Sequence, residues 1–150
     1  MMTKTNVDEV LIASACNVLE TMFFSEAIPA QSSGRMHDNP IVCLLHTSGA
    51  AEGTFSIAVD REALRLLCIS FYGEDAPPIT LQQELACELT NMIAGSTLSN
   101  LVPEHYCSLS APQLCSLEQH ETLGKSGEES TSVLMEVEGG LLSASCSLRM

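Results

Sequence analysis

Four residues of the 150-residue chain, Glu84, Glu88, Asn91 and Gly95, recur at steps of four, three and four. At about 100° per residue they share a stripe roughly 60° wide on one face of a helix. Two carboxylates and a carboxamide on one face can pair with a cation, accept hydrogen bonds and orient water. The stripe is also locally unfavourable. Glu84 and Glu88 are like charges at i,i+4, a repulsion of about 0.2–0.5 kcal/mol, and the stretch from Thr80 to Asn100 contains no Lys or Arg to offset it. Asn91 and Gly95 are poor formers of a helix interior, Gly by ~1 kcal/mol relative to Ala. Gly95 leaves a smooth patch that another backbone can approach. A face that is unfavourable locally and open sterically suits docking. The same spacing also fits a solvated face that only aids solubility.

Other chemistry finds less support. The seven cysteines, Cys16, Cys43, Cys68, Cys87, Cys107, Cys115 and Cys146, are widely spaced, with no Cys-x-x-Cys. An odd number inside mostly apolar segments reads as buried thiols in a reducing cytoplasm, not as a disulfide framework. Cys43-Leu-Leu-His46 and His105-Tyr-Cys107 each offer two ligands where structural zinc takes four. No metal site of the chain's own is expected. There is no Gly-x-Ser-x-Gly elbow for a nucleophilic serine. Cys87 is read as packing, and His37, His46, His105 and His120 are given no role.

A stripe needs elements to hold it. Val7 to Phe24 carries apolar residues at three- and four-residue steps and reads as a helix, with Asn6 as N-cap and Glu9 in capping-box position. Pro29 to Pro40, rich in Ser, Gly, Asn and Pro, reads as a loop. Ile41 to Thr47 and Gly53 to Asp60 read as a hairpin turning after Ser48-Gly49. Asp60 caps a helix from Arg61 to Phe71, closed by Gly73. A linker from Glu74 to Ile79 leads to the stripe helix, capped by Thr80 with Gln83 in box position and running to about Asn100. Its apolar face is Leu81, Leu85, Leu89, Met92 and Ile93. Tyr106 to Ala111 reads as a strand ended by Pro112, and Leu114 to Glu129 as a mobile loop. Ser132 to Val137 and Leu141 to Leu148 form a second hairpin at Gly139-Gly140. The expected fold is α+β: one domain over residues 1–150, a mostly antiparallel sheet with helices packed on one face.

The balance of 19 acidic and 6 basic residues gives a net charge of −13. Nucleic acid and anionic membranes are therefore poor partners, and a surface presenting Lys or Arg is a welcome one. No apolar run approaches the ~18 residues of a membrane span, and the first residues show no apolar stretch of the leader kind. A cytoplasmic location is expected.

The segment Glu88-Leu-Thr-Asn91-Met-Ile-Ala-Gly95 resembles the Glu-x-x-Asn…Gly signature of the CheC/CheX/FliY phosphatases. Leu109-Ser110-Ala111-Pro112 resembles the Ser-x-Pro turn that follows it in CheX-like members, and the order of elements is similar. The resemblance implies a phosphatase that hydrolyses the aspartyl phosphate of a CheY-like response regulator. It implies that Asn91 orients the attacking water and that Glu88 docks the receiver's Lys, with Glu84 and Gly95 completing the partner-binding face. Mg²⁺ would be supplied by the receiver. CheC-like relatives carry a second Glu-x-x-Asn on the first helix, where this chain has the reversed Asn17-x-x-Glu20, so one site and a CheX-type member are implied. Two features depart from the family pattern. Glu84 stands where Asp or Ser is usual, and Ser96-Thr97-Leu98-Ser99 replaces a segment that usually carries Lys. A homodimer is also implied, through an edge strand for which the apolar, Lys-free Leu141 to Leu148 is the candidate. The competing classes are a silent module of the same fold that sequesters a receiver, and a dimerisation domain.

Overall fold

The computed structural model describes residues 4–30, 36, 39–125, 127 and 129–150. Four helices and seven strands follow in the order α1 (Lys4–Phe23), β1 (Ile28–Pro29), β2 (Ile41–Gly49), β3 (Glu52–Val59), α2 (Arg61–Tyr72), α3 (Ile79–Leu101), β4 (Cys107–Leu109), β5 (Gln113–Leu114), α4 (Leu117–Leu123), β6 (Ser130–Val137) and β7 (Gly140–Arg149). The strands form one sheet in the order β1-β6-β7-β3-β2-β4, with β5 also on β2, and every pairing is antiparallel. The α+β architecture follows from the alternation in its strands. Phe55, Ile57 and Val59 on β3, and Leu142, Ala144 and Cys146 on β7, share one face and are buried in a core with Leu11, Leu19, Leu64, Leu85, Leu89 and Ile93 from α1, α2 and α3.

The opposite face departs from expectation. Ser56 on β3 and Ser143 and Ser145 on β7 point away from that core, and α4 covers them. The segment read as a mobile loop thus contains a helix held by a capping box, in which the Ser116 hydroxyl accepts from the Gln119 amide and the Gln119 side chain accepts from the Ser116 amide. Residues 126 and 128 of that segment, and 31–35, 37 and 38 of the expected 29–40 loop, lie outside the described residues. At the entry to the loop, Ile28–Pro29 forms a two-residue strand beside β6.

The expected edge strand is not an edge. β7 pairs with β6 on one side and β3 on the other, along nearly its whole length. Its lack of Lys reflects burial inside the sheet, and it offers no free ladder for a second copy.

Several caps also differ. α1 begins at Lys4, which puts Asn6 inside the first turn. α3 begins at Ile79 after Pro78 in the cap position, without a side-chain cap, so the Thr80–Gln83 box does not form. The fixed φ of Pro suits a helix start, and Gln82 Nε2 donates to the Pro77 carbonyl at 3.0 Å instead. Asp60 does sit at the N-cap of α2, but its carboxylate makes no cap bond. It accepts from the Leu141 amide at 2.8 Å, tying α2 to the start of β7. A Cβ at Gly140 would stand 2.6 Å from that carboxylate, and Gly139 has φ +89°, so the double glycine is required by the approach of Asp60 as well as by the turn.

Candidate functional site

Among the described residues α3 is the longest helix, at 23 residues. It lies across the sheet with Leu85, Ala86, Leu89, Thr90, Ile93, Ala94, Thr97 and Leu98 buried. Burial of that broad face fixes the rotation of the helix, and with it the direction of every other residue. Thr90 and Thr97 are tolerated inside because each hydroxyl donates to the carbonyl four residues back, at 2.8 Å and 2.7 Å. Leu81 and Met92, expected on the apolar face, are only half-buried.

The stripe emerges where its spacing places it. Glu84 and Glu88 are exposed, and Asn91 and Gly95 are half-buried. Among the described residues no ion pair reaches either glutamate; the pairs present are Arg65–Glu62 and Arg149–Glu52. Nor does Glu88 or Asn91 make a side-chain hydrogen bond among the described residues, which leaves both available to a partner. A Cβ built on Gly95 would meet no atom within 4 Å. The smooth patch is open space, and nothing within the chain demands glycine there.

Beside the stripe runs a shallow groove of ≈ 580 Å³, lined by Thr80, Gln83, Glu84, Cys87, Glu88 and Asn91 on α3 and by Pro112 and Leu114 opposite. The groove therefore gathers three of the four stripe residues and leaves Gly95 beyond its end. Its far wall is held by Ser110. The Ser110 hydroxyl accepts from the His46 amide at 2.9 Å, and the Ser110 amide donates to the His46 carbonyl at 2.8 Å. These bonds anchor the turn between β4 and β5 on β2, so that Pro112 faces α3.

Sequence reasoning missed two parts of this surface. Tyr72, the last residue of α2, has its phenol pushed above the ordinary range by burial first, then by the negative charge of Cys68, Glu84 and Glu88. No pattern around Tyr72 marks it. Cys87, read as packing, is half-exposed and lines the groove next to Glu88. Its position between Glu84 and Glu88 on the helix was the available signal. Among the described residues no cluster of three or more His, Cys, Asp or Glu could hold a metal ion, and no helix is long and apolar enough to cross a membrane.

A family model described as chemotaxis phosphatase CheX matches residues 41–136, a span holding the hairpin β2–β3, all of α3 and the groove. The chain belongs to the CheX family. No curated protein matches it in sequence. Among solved structures, the chemotaxis protein CheX from Vibrio vulnificus is similar with a TM-score of 0.72 and 19% identity, over 99% of this chain and 100% of that one. The CheX–CheY–BeF3–Mg complex from Borrelia burgdorferi is similar with a TM-score of 0.65 and 18% identity, over 95% of this chain and 97% of that one. FliY from Thermotoga maritima gives a TM-score of 0.59 at 16% identity, over 96% and 89%. At these identities the structural likenesses speak for a shared CheX/CheC-like fold.

Proposed function

We propose that this CheX-family chain hydrolyses the aspartyl phosphate of a CheY-like receiver domain that docks on the exposed face of α3. The carrying observation is that Glu88 and Asn91, one helical turn apart, stand side by side on an open groove with no partner of their own among the described residues. In hydrolysis, the bond between phosphorus and the aspartate oxygen breaks as the bond from water oxygen to phosphorus forms. Aspartate and inorganic phosphate are released. Such transfer depends on positioning and charge neutralisation more than on covalent help. The Asn91 carboxamide accepts a hydrogen bond from water and aligns it in line with the leaving oxygen. The Glu88 carboxylate pairs with the receiver's Lys ammonium and fixes the register of docking. Glu84 extends the acidic face, and Gly95 lets the receiver backbone approach. Mg²⁺ belongs to the receiver, which supplies the neutralising charge. The receiver complex formed by a CheX of the same fold in Borrelia burgdorferi supports the choice of partner.

The test is dephosphorylation of a radiolabelled CheY-like receiver by wild type and Asn91→Ala. Wild type should accelerate phosphate loss, and Asn91→Ala should lose that acceleration by ~100-fold or more while still binding, because the amide acts on water. A wild-type chain that binds the receiver without accelerating phosphate loss is a sequestering module instead. A chain that does neither has only a solvated stripe.

A further inference from the structure

Cys43 on β2 and Cys87 on α3 meet across the seam between sheet and helix, with their sulfurs 2.8 Å apart. Both are free thiols. A disulfide bond is about 2.05 Å long, so a further approach of about 0.8 Å would join them. The two differ in access. Cys43 has no exposed surface, sealed in the core between β2 and α3. Cys87 opens onto the groove beside Glu88. A reachable thiol with a buried second thiol in contact is the arrangement of an oxidisable cysteine and its resolving partner.

We propose that Cys43 and Cys87 are a redox pair in which Cys87, entered from the groove, is oxidised by a hydroperoxide and Cys43 then closes a disulfide that joins α3 to β2. In the first step the Cys87 sulfur takes the distal oxygen of the peroxide, the O–O bond breaks, and water or an alcohol leaves with the thiol proton; the product is a sulfenic acid. In the second, the Cys43 sulfur attacks the Cys87 sulfur, the S–O bond breaks, and hydroxide leaves as water with the Cys43 proton. Two thiols have then given two electrons to one peroxide. A dithiol reductant reverses the change, as expected of a disulfide in a reducing compartment.

The environment sets the order of events. Burial, then the hydrogen bond with Cys87, pushes the Cys43 thiol far above its ordinary range. Cys43 therefore gives up its proton only as the S–S bond forms, to the departing hydroxide, and contact between the two sulfurs supplies the high effective concentration of the attacking group. Cys115 is the competing partner; its thiol is raised by burial and it senses both other sulfurs, but it makes no sulfur contact with either among the described residues. The thiol chemistry stands whether or not the groove receives a receiver.

The test is titration of the reduced full chain with one equivalent of hydrogen peroxide, followed by thiol counting after denaturation and by peptide mapping. Two of the seven thiols should disappear, a Cys43–Cys87 cross-linked peptide should form, and dithiothreitol should restore both. With Cys43→Ala, dimedone should trap a sulfenic acid on Cys87 and no cross-link should form. With Cys87→Ala, Cys43 should survive unreacted. Far-UV circular dichroism checks that each variant folds, and the wild-type map decides alone where one does not. Seven intact thiols after peroxide, or a cross-link from Cys87 to Cys115, overturns the pairing.

Discussion

Glu88 and Gly95 make different demands on a partner, and each can be tested alone. On the proposed docking, removing the Glu88 carboxylate deletes a charge-assisted contact of ~1.5–3 kcal/mol, so Glu88→Ala should weaken receiver binding by about tenfold or more in a titration, with the rate falling as well. Glu84→Ala should matter less, because Glu84 lies a turn further from Asn91. It also removes one of two repelling charges. Gly95 separates docking from folding. A Cβ there meets no atom within 4 Å, and Leu is better than Gly in a helix interior by a little less than the ~0.8–1 kcal/mol that separates Ala from Gly. Gly95→Leu should therefore raise Tm by about 2–4 °C yet suppress dephosphorylation, by standing where the receiver must approach. A Leu variant with full activity would remove Gly95 from the docking face. These residues were legible in the sequence because a helix maps spacing onto direction. Once Leu85, Leu89 and Ile93 are buried, the outward course of Glu84, Glu88 and Asn91 is fixed. Tyr72 was not legible, because its place beside the carboxylates depends on how α2 packs on α3, which no local pattern encodes.

Helix α4 shows where local reading stops. Ser116-Leu-Glu-Gln119 carries a capping-box spacing that was there to be read, but the seven residues from Leu117 to Leu123 hold only two apolar side chains, one at each end, and so show no periodic apolar face. What ties α4 to the polar face of the sheet is His120. His120 is buried on the sheet, its Nδ1 2.6 Å from the Ser56 hydroxyl and its Nε2 2.8 Å from Ser143, with Ser145 at 3.4 Å. Burial pushes its pKa down from 6.5 to about 4. The unfolded chain therefore binds a proton in the window from about 6.5 to 4 that the folded chain refuses. Stability from this group is complete above the window and falls as pH drops through it, by roughly 3 kcal/mol in all. The check is urea unfolding at pH 7 and pH 4.5 for wild type and His120→Asn. Wild type should lose more stability between the two than the variant does, because carboxylates elsewhere titrate in both. Equal losses would mean that the imidazole is not neutral and sealed.

At the scale of the molecule, apolar character and missing Lys could not tell an edge strand from a central one, and β7 proved central. Its alternation was read correctly, with Leu142, Ala144, Cys146 and Leu148 facing the core. Its neighbours depend on the pairing of β7 with β3, fixed by contacts about 90 residues apart in sequence, such as Phe55 with Cys146. The expected homodimer therefore needs a different edge. On β6, β1 covers only Met135 and Glu136, with one further bond from the Ala30 amide to the Leu134 carbonyl. Backbone groups on an antiparallel strand alternate in direction, so Ser132, like Leu134, turns its amide and carbonyl away from β7, and no described residue bonds to them. Among the described residues this stretch of the ladder is unpaired, and an unpaired ladder is a template for a second strand. Wild type should accordingly run at twice the chain mass in light scattering at micromolar concentration. Ser132→Pro should give a monomer, because Pro removes an outward amide while leaving the inward β6–β7 ladder intact. The exposed side chain of Ser132 also accepts a 2.9 Å bond from the Ser145 hydroxyl, so Ser132→Ala serves as the control that loses that bond and keeps the amide. A dimeric Ser132→Pro variant would exclude β6 as the dimer edge, and a monomeric wild type would exclude the dimer itself.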